Sequence, residues 1–151
     1  MMEFRKILVP IDFSENSPKI LRDAAEIAER FGAELTVVFV VQSFEDYSGF
    51  FVPHIPITQF EEEMVQSATT KMESFLSENL KSKIPVNSKI LQGDVAEELV
   101  KFATENGIGM IIMGTHGYKG LEKALFGSVA ERVVKTAPCP VLTINPYRTG
   151  S

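Results

Sequence analysis

The chain is short of the residues that would commit it to several common protein classes. It has one cysteine, Cys139, which excludes an internal disulfide framework and suits a reducing compartment. It has two histidines, His54 and His116, and His54 has no second ligand at metal-binding spacing. Positive charge is not in excess: 15 Lys and Arg stand against 20 Asp and Glu, for a net charge of −5. The two signs are interspersed, so no basic stripe marks a nucleic-acid or anionic-membrane surface. No apolar run is long enough to cross a bilayer. The N-terminus enters a strand within a few residues, so no signal peptide is expected. There is no internal repeat and no low-complexity segment. These absences point to a cytoplasmic protein with neither nucleic acid nor membrane as partner. The length of 151 residues suggests a single domain spanning 1–151, large enough to bury about 70% of its unfolded surface.

What is present concentrates between Met110 and Thr136, MIIMGTHGYKGLEKALFGSVAERVVKT. The apolar run Met110–Met113 reads as a buried strand that stops at Gly114. Gly117 and Gly120 follow at even spacing, and Gly127-Ser128 precedes a helix. Ser128 followed by Glu131 is the pattern of a capping box, which places a helix start near Ser128. A strand, a glycine-rich loop and a helix N-terminus present backbone N–H groups and a positive helix end to a phosphate. A Cβ at Gly127 would obstruct that anion. The loop is not a Walker A loop, because no Gly-Lys-Ser/Thr follows the glycines, and no Gly-x-Gly opens it as in a Rossmann fingerprint. The alternative is a tight strand-to-helix connection that binds nothing.

The rest of the chain alternates. Lys6–Ile11 is an apolar strand covered on both faces. Asp12–Asn16 is a loop, and Ser17 is expected to cap a helix with Pro18 at its first position. Gly32 closes that helix. Glu34–Val41 is nearly all β-branched or aromatic and reads as a central parallel strand. Gln42–Ile57 is a long connection containing Phe44, Tyr47, Phe50 and Phe51, either a lid or partner contact or packing on the domain's own surface. Thr58 with Glu61 makes another capping box, and Phe60, Met64, Ala68, Met72, Phe75, Leu76 and Leu80 form one stripe of its helix. Val86–Leu91 alternates as an edge strand does. Asp94 with Glu97 caps a helix that ends at Asn106-Gly107. Pro138 and Pro140 lead into Val141–Ile144, a strand at a sheet edge.

Strand-helix alternation of this kind means a parallel sheet with right-handed crossovers and helices on both faces. Alternation alone does not fix the strand order. In the order 3-2-1-4-5 the winding reverses between the first and fourth strands, and ligands bind beyond the carboxyl ends of such strands. Pro10-Ile11-Asp12 and Met113-Gly114 then meet at the reversal.

Gly114, two residues, Gly117, nine residues, then Gly127-Ser128 resembles the ATP-binding signature of the universal stress protein family. KILVPIDFSENS is similar to that family's opening, GDVAEELVKFA to the segment before its fourth strand, and IIMGTHGYKGLEKALFGSVAERVVKTAPCPVLTI to its closing half. The resemblance implies an adenine-nucleotide-binding, Rossmann-like fold of five parallel strands in the order 3-2-1-4-5, and a dimer. Carried over by position, it implies that Gly114, Gly117, Gly127 and Ser128 hold phosphates. Asp12 would lie near the ribose or a metal-bound phosphate, and Pro10, Val40 and Met113 would line the adenine pocket. ATP, with Mg²⁺ or Mn²⁺ near Asp12, is the implied ligand. Two positions depart from the pattern: Val129 replaces a second small hydroxyl, and Gly109 stands where an acidic residue often precedes the strand.

The favoured reading is a regulatory protein that binds ATP and dimerises through Val141–Ile144, whose apolar edge invites a second copy. The alternatives are a slow ATP hydrolase, for which the loop supplies no evident general base, and an interaction module that keeps its glycines only as turns. Within the loop, His116 and Lys119 could reach a phosphate or stand solvated. Cys139 reads as a small buried hydrophobe.

Overall fold

The structure, a computed structural model, describes residues 3–42, 57–81, 83–115 and 127–147. The order of elements is β1 (Lys6–Pro10), α1 (Ser17–Phe31), β2 (Glu34–Gln42), α2 (Ile57–Asn79), β3 (Val86–Gly93), α3 (Val95–Glu105), β4 (Met110–Gly114), α4 (Ser128–Thr136) and β5 (Val141–Ile144). The five strands form one sheet in the order β3-β2-β1-β4-β5, and every pairing is parallel. This is the expected doubly wound arrangement, with β3 and β5 at its edges.

Side chains alternate across each strand, and the two faces recruit different helices. Ile7, Val9, Leu35, Val37 and Ile112 pack against Ile20, Leu21 and Ala24 of α1 and Met72 of α2. Leu8, Val38, Val40, Ile111 and Met113 pack against Leu99 and Ala103 of α3 and Ala130 and Val133 of α4. A strand buried on both sides must be apolar at every position, which is why β1 and β4 read as continuous apolar runs. The edge strand β3 is the exception, with exposed Asn87, Ser88 and Lys89. On α2, Ala68 and Met72 are buried, and Phe75, Leu76 and Leu80 pack partly buried on the same core.

Two helix starts differ from expectation. Ser17 is the first residue of α1 rather than its cap: Asn16 occupies the cap position and makes no side-chain cap bond. The Ser17 hydroxyl donates to Asp12 Oδ1 at 3.0 Å, a charge-assisted bond across the turn. Helix α2 starts at Ile57, so Thr58 lies inside its first turn and not before it. At α3 the expectation holds, since Asp94 accepts from the Glu97 N–H at 3.0 Å. The aromatic connection 43–56 lies outside the described residues.

Gly109 is explained by a close approach. A Cβ there would collide with the backbone carbonyl of Glu3, while the Gly109 N–H donates to Lys6 O at 2.9 Å. An acidic residue at this position would push the N-terminal segment off the start of β4.

Asp94 also joins α3 to α4, through Arg132 at 3.0 Å. The Arg132 hydrogen bond, followed by the backbone N–H of Glu97, holds the Asp94 carboxyl below its ordinary range. A carboxylate with a depressed folded pKa contributes stability above its unfolded value and loses it as pH falls through the folded one. Asp94→Ala is therefore expected to cost about 1 kcal/mol at neutral pH, mainly from the lost cap. The exposed ion pair adds little because solvent screens it. Urea unfolding should show the difference from wild type shrinking as pH drops below the usual carboxylate range; a difference that persists in acid would exclude Asp94 ionisation as its source.

Candidate functional site

The site begins with a strand that ends early. The last register pair of β1 with β2 is Pro10↔Val38, yet β2 runs on to Gln42. The pairs of β1 with β4 are Ile7↔Met110 and Leu8↔Ile111, and β4 runs on to Gly114. Backbone groups of successive strand residues point to opposite neighbours. The Ile11 N–H donates to Val38 O at 2.9 Å, toward β2, so residue 10 is turned toward β4. Residue 10 is proline and has no N–H to give. The β1–β4 ladder cannot continue there, and the sheet opens at the point where its winding reverses.

A cavity of about 500 Å³ fills this opening, within the range of small-molecule sites. Pro10, Asp12, Val40, Met113, Gly114, Gly127 and Ser128 all line it. Gly117, with His116 and Lys119, lies outside the described residues. Val40, Met64, Leu99 and Met113 give an apolar wall. Val40 has the same backbone orientation as Val38, so its N–H and C=O point past the end of β1, into the opening.

The polar lining comes largely from the turn after β1. Ser14, Asn16 and Ser17 are buried and face the cavity with Asp12. Asp12 Oδ1 accepts from the Ser14 N–H at 2.9 Å and from Ser17 Oγ. Asn16 donates from Nδ2 to the Tyr147 hydroxyl at 3.3 Å, which brings the segment after β5 to the start of α1. Sequence reasoning took Asp12–Asn16 as a loop with one candidate in it. The signal for the others was a short polar run placed directly after a fully buried strand.

The far side is the start of α4. The Gly127 N–H donates to Thr115 O at 2.9 Å, and the Thr115 N–H to Ile144 O at 2.9 Å. Thr115 and Gly127 are thus joined to each other, and Thr115 to β5. The Glu131 N–H bonds Gly127 O at 3.0 Å, so the N–H groups of Ser128, Val129 and Ala130 have no acceptor within the helix. All three residues line the cavity. The cap position belongs to Gly127, which corrects the expectation that Ser128 fills it; Ser128 is the exposed first residue of the helix. Gly127 has φ −61° and ψ 152°, an ordinary extended conformation. Among the described residues the nearest atom to a Cβ built there is Thr115 O at 3.7 Å, an ordinary contact.

No described lining residue carries a positive side chain. Attraction for an anion comes instead from helix ends: α1 through Ser17, α3 through Val95 and α4 through Ser128 all open onto the cavity, each with a partial positive charge of roughly half a unit. Asp12 is the one charged side chain in the described lining. It suits ribose hydroxyls or a cation shared with phosphate oxygens. No group of three potential metal ligands exists among the described residues, so a divalent ion would take most of its ligands from phosphate and water, as Mg²⁺ commonly does. Cys139 packs half-buried against the α3–α4 core, and burial pushes its thiol pKa up, away from reactivity.

The sequence model of the universal stress protein family matches residues 3–145. Universal stress protein MJ0531 of Methanocaldococcus jannaschii is 36% identical over 149 residues, which cover 94% of this chain and 82% of that protein. The solved structure of MJ0577 from the same organism, described as a structure-based assignment of biochemical function, superimposes with a TM-score of 0.77 at 31% identity, covering 98% of this chain and 99% of that one. The universal stress protein of Archaeoglobus fulgidus in complex with dAMP matches with a TM-score of 0.68 at 24% identity, covering 95% of this chain and 100% of that one.

Because Ser128 caps nothing, Ser128→Ala should change stability by less than about 0.5 kcal/mol, as for an ordinary surface site. A thermal or urea midpoint that falls by the equivalent of about 1 kcal/mol, the value of a lost cap, would contradict this geometry.

Proposed function

We infer that this chain, which belongs to the universal stress protein family, is an ATP-binding regulatory protein of the cytoplasm that acts as a homodimer. The observation that carries the reading is the cavity at the sheet reversal, where an apolar slot meets three helix starts. The slot suits a flat heterocycle. The Val40 N–H and C=O offer one donor and one acceptor at its edge, the complement of adenine's N1 and amino group. The phosphates would lie across the N–H groups of Ser128, Val129 and Ala130, with Gly114, Gly117 and Gly127 leaving room for their oxygens. Asp12 would take ribose hydroxyls, or share a Mg²⁺ or Mn²⁺ ion with the phosphates. The dAMP bound by the Archaeoglobus relative supports an adenine nucleotide as ligand.

The reading is of a binding protein, with a slow ATP hydrolase as the alternative; Asp12 Oδ1 accepts hydrogen bonds from the Ser14 N–H and Ser17 Oγ. Among the described residues no helix is long and apolar enough to cross a membrane.

Titration calorimetry with ATP and Mg²⁺ should give saturable binding to nucleotide-free protein. Gly127→Val should abolish it while lowering the unfolding free energy by no more than about 1 kcal/mol, the cost of a poorer helix cap. Equal affinity in the variant would remove the phosphate assignment, and no heat in the wild type would favour an interaction module without nucleotide.

Dimerisation rests on the outer edge of β5, which no described strand pairs. Leu142 is 40% exposed on it, and Val134 of the adjoining α4 is 47% exposed. An apolar parallel edge of this kind is suited to a second copy. Sedimentation at tens of micromolar, about where weak dimers dissociate, should show a dimer that Leu142→Lys converts to monomer. A wild type that sediments only as monomer would refute it.

A further inference from the structure

Phe13 has φ 61°, the one positive φ outside glycine among the described residues. An aromatic residue strains the backbone there, because its Cβ crowds the following carbonyl oxygen. Glycine would make the same turn without that strain. The turn has a definite consequence: it carries the Ser14 N–H back to Asp12 Oδ1 at 2.9 Å and leads into α1 so that Ser17 Oγ reaches the same oxygen at 3.0 Å. Asp12 faces the cavity, while Phe13 packs on the other side, against the α1–α2 core.

The ring is held from two elements. Its centroid lies 4.7 Å from that of Phe39 on β2 and 5.8 Å from that of Phe75 on α2, edge-on at 78°. Lys71 Nζ, also on α2, sits 5.6 Å over the ring. Phe39 itself lines the cavity. Strain of this kind persists only where surrounding packing over-determines it, and here that packing comes chiefly from α2 and β2.

From this geometry we propose that Phe13 is a positioning residue for the nucleotide site: gripped between Phe39 and Phe75, it holds the strained turn that aims Asp12 into the cavity, and it links the seating of α2 to nucleotide binding. The proposal rests on the reading of the cavity as an adenine-nucleotide site. The link is reciprocal, as any coupling of two equilibria must be. A nucleotide that engages Asp12 tightens α2, and loosening α2 weakens the nucleotide.

The test is a double-mutant cycle read by titration with ATP and Mg²⁺. Phe13→Gly keeps the backbone conformation accessible and removes the ring, so the protein should still fold; Phe75→Leu loosens the grip while keeping apolar volume. Each should weaken ATP binding by about tenfold in the wild-type background, an ordinary coupling for residues in contact. In the Asp12→Ala background the same substitutions should change affinity by less than about twofold. Hydrogen exchange should show ATP slowing the amides of α2 in the wild type and no longer in Phe13→Gly. Equal losses in both backgrounds, or wild-type affinity in Phe13→Gly, would overturn the proposal while leaving the nucleotide site standing. A wild type that takes up no nucleotide overturns both, and is seen before any variant is needed.

Discussion

Much of this molecule depends on a missing hydrogen bond. β1 is the central strand, and Pro10 falls where its next donor would face β4. A central strand normally tolerates no proline in its interior; at its last position the proline ends one ladder and leaves the other intact, since Ile11 still donates to Val38. The asymmetry ends the β1–β4 ladder at Leu8, before the β1–β2 ladder ends at Pro10. β2 and β4 continue past the gap, and their backbone groups would otherwise have paired with β1. The cavity is therefore built by the strand that stops, and its walls by the strands that do not.

The electrostatics follow from the same topology. In a doubly wound sheet every helix that follows a strand starts at the carboxyl end, so α1, α3 and α4 all turn their positive ends toward the opening. The lining needs no described lysine or arginine to attract an anion. Backbone dipoles are fixed by the fold and cannot swing away, as a long side chain can. The cost is a carboxylate in the same space. Asp12 is tolerated because Ser14 and Ser17 satisfy one oxygen, and among the described residues no buried side-chain polar atom lacks a hydrogen-bond partner.

The alternation of apolar runs and amphipathic segments made the sheet, its helices and its edge strands legible from sequence, because those patterns are set by burial on one face or two. The strand order came with the family resemblance and not from periodicity. Helix starts were less legible. Ser17 and Ser128 both look like caps, but each is the first residue of its helix, with Asn16 and Gly127 before them in the cap positions. A serine near a helix start is ambiguous when an asparagine or a glycine, also suited to the cap, stands just before it. Ser14 and Asn16 were missed for a related reason: polar residues after a strand read as solvent-facing turn, and only the topology turns them inward.

Glycines sort by asking what each would meet if it gained a side chain. At Gly109 the answer is the backbone carbonyl of Glu3, which cannot step aside; that glycine serves the fold, whatever binds elsewhere. At Gly127 the nearest described atom is Thr115 O at 3.7 Å and the backbone is ordinary extended; glycine there suits the cap of α4. What a Cβ would spoil there lies on the cavity side, at the helix start where the N–H groups of residues 128–130 are presented. Gly127 also lines the cavity with Ser128, Val129 and Ala130, so its lack of a side chain leaves the start of α4 open on that side. The same test applied to Phe13 gives the opposite result: the backbone there favours glycine, and the chain carries a phenylalanine whose ring ties the turn to α2. One position gives up a side chain and lines the cavity; the other keeps one against its conformational preference and packs behind the turn that carries Asp12 into the cavity.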